Sequence, residues 1–383
     1  MIYNRKIIYL VGFIFSLTIA LPAYINSSFL SSFVNEKFVG IVYTLGSIGS
    51  ILALLTAPAI WRIIGGYKFL LSITLLNILS LLALILVKNA WSAVIIFIIY
   101  FSLNILIFFS LDELLKIFSK DSATGRIRGM YLSICGLAWI ISQLAFGAVL
   151  GKFPLRIIYL ISLAIMLLFF TISYLCFSDI SDPKYDRMGV KKYIGKFFKN
   201  KNLFRAYGIS FLLQLFYSWM VIYTPIYLSL YLGFSWKEIG IIFAIMLLPF
   251  FIIPFQLGKY ADKIGERKML MSGFTIASFA TLFLFLIHEH NLWLWALLLL
   301  ITRVGAASIE VMSDAYFFKH IKPENEEFVG VYRSASPVAY ILGPLLASLV
   351  FIFIPSFGFI YLILGTFMLY GIYLSSTIRK SDI

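Results

Sequence analysis

Twelve times along this chain a run of about twenty mostly apolar residues recurs, closed at its ends by charged residues or by Gly, Pro and Asn. A hydrocarbon layer about 30 Å thick takes roughly 20 residues of helix to cross. Within it every backbone N–H and C=O must be satisfied inside the protein, which leaves helices or closed barrels. The runs are long and unbroken, as helices that cross such a layer require. They predict helices at 7–30, 39–61, 68–87, 91–111, 129–150 and 154–177, then at 205–231, 238–257, 268–287, 292–314, 327–352 and 355–376. The expected fold is an all-α membrane protein of twelve transmembrane helices. Residues 1–177 form an amino-terminal six-helix bundle, 178–204 a basic cytoplasmic linker and 205–383 a carboxy-terminal six-helix bundle.

Composition excludes the alternatives. The chain is 62% hydrophobic and 13% charged, with mean hydropathy +0.98; soluble domains carry about 25% charged residues. Twelve spans in 383 residues leave no room for a separate catalytic domain. Cys135 and Cys176 lie inside apolar runs with no companion Cys or His, so they read as packing residues. No metal and no cofactor are expected. Arg5 and Lys6 before the run at 7–21 imitate a secretory leader, but the run is long and other spans follow. It reads as an uncleaved first helix.

The net charge of +14 is not a nucleic-acid footprint, because of where it sits. The linker carries Lys184, Arg187, Lys191, Lys192, Lys196, Lys199 and Lys201, the last five interleaved with Tyr193, Ile194, Phe197 and Phe198. At helical period this predicts an apolar stripe on the membrane with lysines near anionic headgroups, so the lipid is a partner and nucleic acid is not. With both termini inside, 25 of the 31 basic residues fall on the cytoplasmic side. Outer loops hold only Lys37, Lys88, Lys152, Arg156 and Lys237, and Arg303 alone lies within a span. Cytoplasmic loops retain Lys and Arg, so this asymmetry fixes the expected orientation and supports the helix count. The expected location is the plasma (inner) membrane, and the expected state a monomer.

The halves are related. An offset of 200 sets Lys37, Gly40 and Ile41 on Lys237, Gly240 and Ile241, and sets Gly65, Lys68 and Leu70 on Gly265, Lys268 and Leu270. An offset of 201 sets Glu113 on Asp314 and Gly129 and Tyr131 on Gly330 and Tyr332. Repeated halves with binding near the midplane are a recurring plan of secondary transporters.

The sharpest motif lies between the eighth and ninth runs: Gly258-Lys259-Tyr260-Ala261-Asp262-Lys263-Ile264-Gly265-Glu266-Arg267-Lys268. It resembles the inter-helix signature of the major facilitator superfamily, G-x-x-x-D-[RK]-x-G-[RK]-[RK], with Glu266 in place of the first basic residue of the last pair. The six-plus-six layout and long central linker extend the resemblance over the whole chain. It implies two bundles related by pseudo-two-fold symmetry and a conformational latch built from Gly258, Asp262, Gly265, Arg267 and Lys268. Physically, Gly258 admits close helix approach, Asp262 complements the next helix's positive N-terminus and Gly265 permits the tight turn. Arg267 is expected to pair with Asp314. The equivalent first-half loop, Pro58 to Lys68, is degraded, with Arg62 where the acid would stand. A reversed latch of Arg62 with Glu113 and simple anchoring of Arg62 at the headgroups both fit.

One span carries charge. Thr302 to Asp314 puts Arg303, Ala307, Glu310 and Asp314 on one helix face, with Arg303 near the bilayer centre and Glu310 about 10 Å nearer the cytoplasm. A mid-membrane charge costs at least about 2.5–3.5 kcal/mol, so that face looks into protein or a water-filled cavity. Arg303 and Glu310 are read as a substrate-binding and proton-coupling pair, or as a static ion pair. Other polar candidates for a central cavity are Tyr24, Asn26, Asn104, Gln143, Gln214, Tyr217, Tyr223 and Tyr340; helix-to-helix hydrogen bonding suits any one of them equally. Gly343-Pro344 marks a hinge or kink.

These readings converge on transport of a small-molecule substrate, proton-coupled, with export of amphipathic compounds preferred because charge is scarce in the first six spans. The alternative is proton symport importing a sugar, nucleoside or organic anion. A polytopic membrane enzyme would need a cluster of acids or histidines, and only His288-Glu289-His290 is compact. The chain is therefore not expected to be an enzyme.

Overall fold

The computed structural model describes residues 2–118, 124–150, 152–178, 190–320, 327–354 and 356–378. Among them the elements are helices and no strand. They are α1 (Ile2–Ala23), α2 (Asn26–Ser31), α3 (Val39–Ile64), α4 (Gly66–Leu86), α5 (Ala90–Phe118), α6 (Thr124–Leu150) and α7 (Arg156–Cys176). Then come α8 (Val190–Lys199), α9 (Lys201–Ile226), α10 (Trp236–Ile264), α11 (Glu266–Leu286), α12 (Leu292–Lys319), α13 (Glu327–Arg333), α14 (Ala335–Phe353) and α15 (Phe359–Ser376). Among the described residues twelve spans are long and apolar enough to cross a membrane.

Local chemistry sets the boundaries. Ser235 and Glu238 form a capping box before α10: the Ser235 amide donates to Glu238 Oε2 at 2.8 Å and the Glu238 amide to Ser235 Oγ at 3.3 Å. Asn291 Oδ1 accepts from the Leu294 amide at 3.2 Å and starts α12. The predicted first helix is interrupted: α1 contains Pro22, and a turn closes from the Ile25 amide to the Pro22 carbonyl before α2. α9 contains Pro225 and continues into a π-helical turn at Tyr227–Tyr231. The predicted eleventh helix divides between α13 and α14. α5, α10 and α12 outrun their apolar segments, because backbone hydrogen bonding continues past the hydrocarbon boundary.

The chain divides into two compact units, 1–185 with 235–241, and 186–234 with 242–383. In the first, α1 packs on α5, α6 and α7, while α4 packs on α5 and α7. In the second, α9 packs on α12, α14 and α15, while α11 packs on α12 and α15. The same neighbours recur in the same order, so the repeat in the sequence is a repeat of packing. Gly65 and Gly265 mark it: both turn the chain with φ of +82° and +83°, a region that favours glycine, and each opens the next helix.

Helix approach in the second unit depends on small residues. A Cβ on Gly305 would stand 2.6 Å from the Ala277 nitrogen and the Gly273 carbonyl oxygen, so α12 lies directly on α11. The linker helix α8 departs from expectation. Phe197 turns onto protein, with ring centroids 5.6 Å from Phe328 and 6.1 Å from Tyr207, while Ile194, Phe198, Lys196 and Lys199 stay exposed. Lys184 and Arg187, and the Lys191 and Lys192 side chains, lie outside the described residues.

Candidate functional site

The charged face of α12 meets α9 inside the second unit. Asn291 fixes the start of α12, so Arg303 lies about 16 Å along the helix, near the middle of a bilayer-spanning segment. Its side chain is 1% exposed. The guanidinium carbon sits 4.9 Å from the centroid of the Phe216 ring and 5.6 Å from that of Tyr217. Its Nε and Nη1 have no hydrogen-bond partner. Burial of an unpaired ion costs several kcal/mol, and a desolvated cation–π contact returns about 2.

One helical turn pair further along, Glu310 Oε2 accepts a hydrogen bond from the Tyr217 hydroxyl at 3.0 Å. The expected direct ion pair of Arg303 with Glu310 is absent from the described residues. Tyr217 stands between them, its ring under the cation and its hydroxyl on the carboxylate. Seven residues of helix separate the two charges along the axis, about 10 Å, which is beyond ion-pair reach. Phe250 adds a third ring, 6.0 Å from Tyr217.

Asp314 is held from another direction than expected. Its carboxylate accepts from Arg333 Nη2 at 2.9 Å and Nη1 at 3.3 Å, and from the Tyr332 hydroxyl at 3.0 Å. Tyr332 lies 2.8 Å from Ser313 Oγ and stacks on Phe317 with centroids 4.0 Å apart. Arg267 and Lys268 are exposed, so the pairing of Arg267 with Asp314 is replaced by Arg333 with Asp314. The reach from the loop to a neighbouring helix end is instead made by Glu266, which is 2% exposed and paired with Lys319. The sign is reversed along with the residue: an acid where the signature has a base, and a base on α12 to meet it. The side chains of Gly258 neighbours, Asp262, Arg62 and Glu113 lie outside the described residues, so the reversed first-half latch is not placed.

The remaining polar candidates divide. Three make helix-to-helix bonds in the first unit: Asn26 Oδ1 accepts from Tyr159 at 2.7 Å, Asn104 Oδ1 from Asn77 at 2.9 Å, and Gln143 Nε2 donates to the Ala20 carbonyl at 3.2 Å. Tyr24 is buried edge-on to Trp139, and Gln214 and Tyr340 are half-buried. Tyr223 is buried among Trp219, Phe351 and Phe357. At the proposed hinge, α14 continues through Pro344, and Trp219 Nε1 donates to the Gly343 carbonyl at 2.7 Å. Phe216, Tyr332, Arg333 and Lys319 were not among the expected site residues. Basic residues at a helix end read as orientation signals, and aromatic content this high singles out no ring.

Residues 206–381 match the family model described as Major Facilitator Superfamily. The match spans the carboxy-terminal part of the chain, where the sequence is similar to that family. The chain's fold is shared over nearly its whole length with solved transporter structures. A mutant of the nucleoside transporter NupG superposes with a TM-score of 0.79 at 12% identity, covering 97% of this chain and 98% of that one. An auto-inhibited peptide transporter of the POT family gives 0.80 at 12% identity, with 98% and 97% covered. No curated protein matches the sequence. The chain thus shares the fold of these transporters, with twelve helices among the described residues long and apolar enough to cross a membrane, and the interior of its carboxy-terminal unit holds the Arg303–Tyr217–Glu310 arrangement.

Proposed function

We propose that this protein is a proton-coupled secondary transporter that moves a small organic solute by alternating access, with Glu310 carrying the proton. The observation behind this reading is the hydrogen bond from Tyr217 to Glu310. The carboxyl is held by a neutral donor rather than a cation, so it gains and loses a proton without breaking a salt bridge. Arg303 lies on the same face as the group that meets the solute. The Asp314–Arg333 and Glu266–Lys319 pairs, both at the cytoplasmic end of α12 in the expected orientation, act as the latch that releases on opening. The two structural neighbours are named for nucleoside and peptide transport, which fits a small polar organic solute as the class. The charge asymmetry supports a cytoplasmic position for both termini and a location in the plasma (inner) membrane.

The test is transport by Glu310→Gln in proteoliposomes. Gradient-driven movement of the solute is lost while exchange of labelled for unlabelled solute continues; driven movement at the wild-type rate contradicts the proposal. Direction has two readings. Scarcity of charge in the first six spans favours export of amphipathic compounds, and the unpartnered guanidinium favours symport of an organic anion. Cells expressing the protein exclude a labelled solute in the first case and accumulate it in the second.

A further inference from the structure

We infer that Arg303 is the binding point for the carboxylate of an organic monocarboxylate with a flat, apolar body, and that this anion enters with a proton on Glu310. The inference rests on the transporter reading of the same interior and names the solute class that it leaves open.

Three observations carry it. The guanidinium is 1% exposed, yet its Nε and Nη1 have no acceptor. Among the described residues it takes part in no ion pair, and the acid on its own helix face, Glu310, stands two turns away and acts on it only at longer range. A buried donor group of this strength is otherwise paired with a carboxylate or phosphate. The walls beside it are the rings of Phe216 and Tyr217, with Phe250 against the latter, and they offer flat apolar surface to whatever the guanidinium holds.

Charge then limits the ligand. One unpaired cation is matched by one negative charge, whereas a phosphate dianion would leave an excess buried in apolar surroundings. Glu310 lies on the same helix face, hydrogen-bonded to the tyrosine that supports Arg303, and the other charged groups that act on it are Asp314, one turn along α12, and Arg333 of α13, which are paired with each other. An ionised Glu310 repels an incoming carboxylate, and a protonated one does not. Anion and proton therefore bind cooperatively, and the linkage is reciprocal: the proton favours the anion as much as the anion favours the proton. No bond is made or broken beyond transfer of that proton to the Glu310 carboxylate. Cooperative binding on one side and joint release on the other is the thermodynamic basis of symport.

The experiment is thermal unfolding of the purified full-length protein in detergent at neutral pH, with benzoate, benzamide and inorganic phosphate as probes. Benzoate raises the wild-type unfolding temperature by a few degrees and the isosteric neutral amide and phosphate do not. Arg303→Gln unfolds no earlier than wild type without ligand, since it loses a buried unpaired charge, and shows no benzoate shift. Arg303→Lys retains part of the shift. Mild acidification increases the wild-type shift, and Glu310→Gln, fixed in the neutral form, shows a shift independent of pH. Equal stabilisation by benzoate and benzamide, a larger effect of phosphate, or an undiminished benzoate shift in Arg303→Gln overturns the assignment. Because no gradient is involved, those outcomes leave proton-driven transport through Glu310 standing. Conversely, wild-type driven transport by Glu310→Gln removes the coupling role without touching the Arg303 result.

Discussion

The Tyr217 hydroxyl donates to Glu310 Oε2 at 3.0 Å, joining α9 to α12, while the ring of the same tyrosine lies 5.6 Å from the Arg303 guanidinium. One side chain thus senses both charged groups. Tyr217→Phe keeps the ring and removes the hydroxyl. A hydrogen bond to an ionised group contributes about 1.5–3 kcal/mol, so gradient-driven transport falls by about tenfold or more. Solute exchange and benzoate binding change much less, and comparing the assays on one preparation checks this.

Asp314 and Arg333 form a two-pronged pair that is half open to water, with side chains 34% and 50% exposed. Such a pair contributes about 1 kcal/mol or less. Asp314→Asn and Arg333→Ala each lower the unfolding temperature slightly, and exchanging the two residues restores most of the loss. Arg267→Ala, at an exposed position, leaves stability unchanged. A drop with Arg267→Ala as large as with Arg333→Ala would return Asp314 to its expected partner.

Glu266 departs from the family signature, and its partner Lys319 explains how. Restoring the usual base with Glu266→Lys places a buried cation against Lys319. Allowing for water at the half-exposed Lys319, the cost is about 2 kcal/mol. Lys319→Glu in the same chain recovers it. Unfolding temperatures of the two single variants and the double variant decide whether the residues act as a pair.

Gly305 sets the contact of α12 with α11. Gly305→Ala puts a methyl group 2.6 Å from backbone atoms of α11, and overpacking of this kind costs about 1–3 kcal/mol. Gly136 on α6 has no atom within 4 Å of its added Cβ, so Gly136→Ala is the control. The yield of monodisperse protein falls for the first variant and holds for the second.

Hydropathy alone located the twelve spans, because satisfaction of the backbone in hydrocarbon leaves so few alternatives. The offset that aligned Gly65 with Gly265 also anticipated two turns of nearly equal φ, since glycine at a positive φ leaves a mark in any sequence. Helical period placed Arg303 and Glu310 on one face but said nothing of what faced them. Tyr217 is 93 residues from Glu310, and Tyr159 is 133 from Asn26. Such partners are set by how helices pack, not by local pattern. The same reason assigned Asp314 to Arg267, nearest by family analogy, when the packing of α13 brings Arg333 to it. Phe197 was expected at the membrane because an amphipathic helix does not declare whether protein or lipid covers its apolar stripe.

The claim that the proton rides on Glu310 is tested most directly by following protons. Proteoliposomes loaded with a pH-sensitive dye report proton movement when a transported solute is added outside. The account predicts a solute-dependent pH change with wild type and none with Glu310→Gln, although the variant still exchanges solute. Equal solute-dependent proton movement in both would contradict it.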